Sequence, residues 1–288
     1  MKIENEYLRV EAKEIGGELQ SIYGKKEGVE YLWQGDPAYW TGRAYHLFPI
    51  IGRLYEGKYE VYGETYEMAP HGLVRKRPLQ ARQIAEDEMS FTLVSDESTL
   101  ESYPFPFVYT VHYLLQGKKL VQTISVENKG DRTMYFAIGG HPGFNIPFDG
   151  GVFEDYGVRF PCAGEVRQCT FTQNILMSGE KKEYPLTDKT LPLSHDLFGL
   201  DAVVLEGTGG KAIISKKGGK HSVCVEYPDM PYLGVWHKPQ SDAPYVCLEP
   251  WSALPARDGV KEDFSKKSDM TKLEAGKTHT LVWSIEIG

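Results

Sequence analysis

Glu249 lies in the run Val246-Cys247-Leu248-Glu249-Pro250-Trp251. The apolar residues ahead of it predict a buried strand that carries the carboxylate into a Pro-Trp turn. A carboxylate in such a place loses solvation, which raises its pKa and makes it a better proton acceptor near neutral pH. Two histidines stand far upstream in glycine-containing runs, Pro70-His71-Gly72 and Gly139-Gly140-His141-Pro142-Gly143-Phe144-Asn145. An imidazole titrates near neutrality and can donate or accept a proton there. The run from Met134 to Gly139 predicts a strand, with His141 in a turn just past its end, where a rigid sheet would hold it. A base, an acid and a nearby aromatic are the equipment needed to open and close a sugar ring. Each residue also has a plainer reading: Glu249 paired with an arginine such as Arg53 or Arg257, His141 bonded to a carbonyl in a tight turn, His71 in a solvated polar turn.

Other side chains could hold a sugar. Trp236, in Gly234-Val235-Trp236-His237, offers a broad apolar face with a donor at its rim. Arg53, after Pro49-Ile50-Ile51-Gly52, could present a fork of donors to adjacent hydroxyls. Asp201 precedes the apolar run Ala202-Val203 and could accept from a hydroxyl, although aspartate at such a site is more often a turn residue. Arg75, Lys76 and Arg77 follow His71 and could pair with a phosphate, or form a solvated basic cluster.

The elements that must position these groups are mostly strands. Met89, Phe91 and Leu93 alternate with Ser90 and Thr92, and Leu281, Trp283, Ile285 and Ile287 alternate with more polar neighbours. Period two marks half-buried strands. Tyr109–Leu115 and Leu120–Val126, joined across Gly117-Lys118-Lys119, predict a hairpin, as do residues 58–68. Helical signals are confined to short turns over 36–43 and 194–198. With 30 glycines, 17 prolines and 18 tyrosines the chain reads as an all-β sandwich or barrel. No linker or repeat divides it, so one domain over residues 1–288 is expected, with 258–273 as a polar loop before the last strand.

The 288 residues carry a net charge of −8, which disfavours nucleic acid and anionic membrane as partners. Cys162, Cys169, Cys224 and Cys247 show no C-x-x-C spacing, so reduced thiols in the cytoplasm are expected. The first residues lack the apolar core of a signal peptide, and no run approaches a membrane span in length. Phosphate-loop, dinucleotide, H-E-x-x-H and G-x-S-x-G patterns are missing, and eight scattered histidines make no zinc spacing, so no cofactor or metal is expected.

Taken together, Gly16-Gly17-Glu18-Leu19, His46-Leu47-Phe48-Pro49-Ile50-Ile51-Gly52-Arg53-Leu54, Pro70-His71-Gly72, Gly140-His141-Pro142-Gly143-Phe144-Asn145, Phe198-x-x-Asp201 and Leu248-Glu249-Pro250-Trp251 resemble the aldose 1-epimerases (mutarotases), most closely their shorter bacterial branch. The resemblance spans nearly the whole chain. It implies a large twisted antiparallel β-sandwich with a sugar cleft on one face. It also implies Glu249 as general base, His141 as general acid, His71 as a second histidine at the ring oxygen or a nearby hydroxyl, and Arg53 as a substrate-binding arginine. Asp201 carries over least firmly, because Asp196 lies close by. The implied reaction interconverts the anomers of an aldohexose, with Glu249 and His141 meeting across a pyranose-sized gap. Alternatives are a hexose 6-phosphate substrate, suggested by Arg75-Lys76-Arg77, and a sugar-binding protein without chemistry. The chain is expected as a monomer or homodimer.

Overall fold

Two large antiparallel sheets make the body of the molecule, which the computed structural model describes over residues 1–288. One has nine strands and includes the hairpin Phe107–Gln116 and Lys119–Asn128 and the final strand Thr278–Ile287. The other has seven, and at its centre run Tyr232–Trp236, Tyr245–Trp251, Gly139–Asn145 and Ala44–Leu47, side by side in that order. A four-stranded sheet from the first thirty residues and two short ribbons complete the fold. The all-β sandwich expected from period-two patterning is therefore what forms. The short ribbon Lys58–Val61 with Glu64–Glu67 and the turn His195–Phe198 lie where the sequence suggests. Residues 36–43 hold a single turn, with Trp40 N–H donating to the Asp36 carbonyl. A capped helical turn at Glu97–Leu100 went unforeseen.

The sandwich closes through side chains that alternate off the seven-stranded sheet. His46 points inward and shares a hydrogen bond with the Tyr113 hydroxyl of the facing sheet. Tyr113 in turn donates to the Gly17 carbonyl at 2.7 Å. Because that hydroxyl is already a donor, His46 must donate from Nε2. The interior around these contacts is one cluster of 64 buried side chains. Neighbouring residues point the other way, so the outer face of the same sheet carries a second set of side chains.

Two expectations fail here. His141 is not in a turn past a strand. The predicted strand stops at Phe136, and His141 lies inside a new strand, Gly139–Asn145, paired on both sides. Its two preceding glycines serve close packing. A Cβ at Gly140 would sit 2.6 Å from the Trp283 ring of the facing sheet, and one at Gly139 would sit 2.8 Å from Ile51 Cδ1. Likewise Glu249 does not end a strand at a Pro-Trp turn. Tyr245–Trp251 is continuous through Pro250, and all seven residues are buried.

Candidate functional site

Register brings the carboxylate and the imidazole together. The strands Gly139–Asn145 and Tyr245–Trp251 pair Gly139 with Trp251 and Gly143 with Cys247, which sets His141 directly opposite Glu249. Cross-strand neighbours on one face have Cβ atoms about 4.5–5.5 Å apart, within reach of one another's side chains. His141 Nε2 lies 3.3 Å from Glu249 Oε1. This corrects the expectation of a sugar-sized gap: the pair is in contact, and the open space lies above both. Neither Arg53 nor Arg257 pairs with Glu249; its ion-pair partner is His141.

That space is a cavity of about 370 Å³ on the outer face of the seven-stranded sheet. Seven residues singled out in the sequence border it: Glu249, His141 and His71, with Arg53, Arg75, Asp201 and Trp236. Asp201, rather than Asp196, lines the wall. Of the basic cluster only Arg75 does so. Arg77 turns away to donate to Ser98 Oγ at 2.6 Å, and Lys76 is exposed.

His71 occupies a true turn. Its φ is +64° and that of Gly72 is +77°. A Cβ at Gly72 would lie 2.2 Å from the Phe48 carbonyl oxygen, so only glycine fits there. The His71 N–H donates to the Gly52 carbonyl at 2.8 Å, and the Gly52 N–H donates to His71 Nδ1 at 3.2 Å. With Nδ1 accepting, neutral His71 carries its proton on Nε2 and is a donor. The same exchange fixes the loop that bears Arg53.

Further upstream, Gly16 and Glu18 act as props. Gly16 abuts the Arg75 backbone, where a Cβ would approach to 3.0 Å, and its N–H donates to the Arg77 carbonyl. Buried Glu18 accepts from the N–H groups of Arg43 (2.7 Å) and Ala44 (3.1 Å), anchoring the start of the strand that flanks His141.

Three aromatic residues that sequence reasoning did not single out complete the walls: Trp40, Tyr45 and Phe171. Trp40 stacks on the His141 ring with centroids 4.8 Å apart, and Trp236 meets that ring edge-on at 5.4 Å. Tyr45 sits opposite His141 in the register and supports Arg75, whose guanidinium lies 5.2 Å from its ring centre. The signal available was density alone, five aromatics between Tyr31 and Tyr45.

Burial sets the electrostatics. It drives the Glu249 carboxyl well above its ordinary range, helped by the charge of Asp201 and opposed by the Trp251 indole. It drives His141 well below its ordinary value, aided by His71 and then Arg75. His71 falls to about 3, through burial and then the charges of Arg75 and Arg53. Asp201 is raised by burial, against hydrogen bonding from Trp236 and the charge of Arg53. Both members of the touching pair thus resist charge, at a separation of 3.3 Å. Nε2 and Oε1 at that distance can share a hydrogen bond in which either atom donates. His141 Nδ1 is buried without a partner.

Comparison with known proteins gives a consistent result. The sequence pattern of the aldose 1-epimerase family matches residues 1–286. The chromosomal LacX protein of Lactococcus lactis subsp. lactis is 32% identical over 295 residues, covering 96% of each chain. A galactose mutarotase-like protein from Lactobacillus casei superposes with a TM-score of 0.94 at 30% identity, covering 100% of this chain and 99% of that one. A galactose mutarotase related enzyme from Lactobacillus acidophilus does so with a TM-score of 0.93 at 34% identity, covering 100% and 97%.

Proposed function

Because the chain belongs to the aldose 1-epimerase family, a family of isomerases, we propose that it interconverts the α and β anomers of an aldohexose by acid–base opening and closing of the ring. The observation that carries this reading is the His141–Glu249 contact at the floor of an open, sugar-sized cavity. The anomeric hydroxyl and the ring oxygen are bonded to the same carbon. Proton-handling groups placed side by side therefore suit this reaction better than groups facing one another across a ring. Glu249 takes the proton of the anomeric hydroxyl while His141 delivers one to the ring oxygen, and the ring opens to the aldehyde. Rotation about C1–C2 presents the other carbonyl face. Reversal of the two transfers closes the ring to the other anomer. The two transfers are equal and opposite, so the pair can run these steps in either direction without a net exchange with solvent.

The remaining residues orient the sugar. His71, a donor at Nε2, serves the ring oxygen or a neighbouring hydroxyl. Arg53 donates to and Asp201 accepts from hydroxyls, and the Trp236 face covers the C–H side of the ring. Each positioned acid or base contributes ~10²–10⁴-fold. Glu249→Gln is accordingly expected to remove mutarotation by at least ~10²-fold in an NMR anomer-exchange assay with glucose or galactose, and His141→Asn to do so comparably, because a concerted pair fails as a unit. Near wild-type exchange in Glu249→Gln would overturn the assignment.

A second reading of the substrate has its own support. Arg75 and Arg53 border the cavity, whose ion pair is His141–Glu249, and Arg75 Nε is buried without a partner. A guanidinium so placed suits a phosphorylated hexose. In a side-by-side assay of glucose and glucose 6-phosphate, Arg75→Ala is expected to slow the phosphorylated sugar selectively by ~10–100-fold, the worth of one charged hydrogen bond. Equal effects on both sugars would leave Arg75 as a general binding residue. With its unpaired cysteines and acidic balance, we assign the enzyme to the cytoplasm; no helix is long and apolar enough to cross a membrane.

A further inference from the structure

The geometry points to a second ligand for the floor of this cavity: a thiophilic divalent cation, of the class of zinc or cadmium, held by Cys247, Glu249 and His141 and displacing the sugar. The inference rests on the reading of the cleft just given. Cys247 and Glu249 are two residues apart on one strand and so share its outer face. His141 stands opposite Glu249 on the adjoining strand, while the position opposite Cys247 is Gly143, where an added Cβ would lie 3.4 Å from the Cys247 sulfur, beside the Trp40 and Trp33 side chains. The ligand atoms of all three residues lie within 4.8 Å of one another, and all three residues are buried. Zinc bonds of ~2.0–2.1 Å to nitrogen and oxygen, at tetrahedral angles, place those two atoms about 3.4 Å apart. The observed separation is 3.3 Å. The thiol is the donor that has to close in, from within 4.8 Å.

The donor set fits the chemistry. A thiolate, an imidazole and a carboxylate with a fourth position open to a cavity is a composition that selects zinc-like ions over magnesium, which requires six hard oxygen ligands. Cys247 gives up its thiol proton on binding, and the ion takes up the lone pairs of His141 Nε2 and a Glu249 oxygen, so neither group is free for the anomeric hydroxyl and the ring oxygen. The cation is thus a reversible inhibitor, competitive with the sugar. Cys247 contacts no part of the cavity surface, so this is a role distinct from sugar binding.

Calorimetric titration of the whole protein with zinc alone, and ultraviolet titration with cadmium alone, test binding without reference to activity. The wild type is expected to bind one ion through Cys247, giving a sulfur-to-cadmium absorption band, and to bind no magnesium. Cys247→Ala and Cys247→Ser are each expected to lose that band and to bind at least ~10–100-fold more weakly, the loss that even an outer partner of a metal ligand causes. Glu249→Gln is expected to weaken binding similarly. Two cysteine variants guard against misfolding of one. Anomer exchange with and without zinc, each variant compared with its own metal-free rate, is expected to show inhibition in wild type that excess sugar or a chelator relieves. Binding unaltered by either cysteine change, or a band traced to Cys162, Cys169 or Cys224, would overturn the site. Binding as described in a protein without mutarotation would instead overturn the proposed function and leave the site standing.

Discussion

Glu249 and His141 are kept in conditions that each side chain resists alone. A carboxylate removed from water costs several kcal/mol unless it is paired and hydrogen-bonded. Here its partner is an imidazole whose charged form burial likewise disfavours. A carboxyl whose folded pKa is raised stabilises the fold fully below its unfolded value and loses that contribution as pH climbs through the folded value. Replacement by the uncharged isostere removes the loss. Glu249→Gln is therefore expected to melt at the wild-type temperature near pH 4 and above it near pH 8, by about 2–4 °C for each kcal/mol relieved. Calorimetric scans at the two pH values check this; a variant less stable than wild type at the higher pH would mean that the carboxylate is satisfied in the fold. Activity and stability then move in opposite directions at this position.

At the scale of the element, precision comes from register and from glycines that allow close approach. Gly140→Ala is expected to cost about 1–3 kcal/mol by forcing a methyl against Trp283 of the facing sheet, and to lower anomer exchange as the His141 strand shifts. A denaturant titration measures the first, an exchange assay the second. Glu18→Ala leaves the N–H groups of Arg43 and Ala44 unpaired and is expected to cost about 2–6 kcal/mol, at roughly 1–3 for each of the two. Lys13, the half-exposed ion partner of Glu18, adds little to that figure. These elements also show what a sequence carries and what it omits. Hairpins such as Phe107–Asn128 were legible because alternation and a turn are local. The roles proposed for Glu249, His141, His71, Arg53 and Arg75 came from residue chemistry and from resemblance, and the structure gathers them around one cavity. What could not be read was that Gly139-Gly140 is flat strand, because the reason, Trp283, lies about 140 residues away. Trp40 and Tyr45 were overlooked for the same reason: aromatic residues signal burial, and only pairing tells which face they occupy.

The whole molecule responds to acid through its buried histidines. Burial holds His46 and His237 at about 4 and His71 at about 3, and holds His141 well below its usual value. Each takes up a proton more readily when unfolded. The stabilisation from each is complete above about pH 6.5 and is lost as pH falls toward the folded value. Between about pH 6.5 and 5, before most carboxylates titrate, every such histidine removes up to about 1.4 kcal/mol per pH unit, against which the raised carboxyl of Glu249 works in the opposite sense. A melting temperature that falls steadily over this interval, with proton uptake on unfolding seen by calorimetry in two buffers, is the expected result; a flat profile would show these imidazoles charged inside the fold. His46→Gln, which keeps a donor for Tyr113, is expected to flatten the slope without touching the cleft. That separation follows from the alternation in the seven-stranded sheet, where His46 looks inward and Tyr45 outward. A framework whose concealed side guarantees endurance leaves its displayed side free for tailoring. Grafting foreign rim segments around residues 52–53, 71–75 and 171–175 should redirect which carbohydrate is accepted while heat tolerance stays that of the parent.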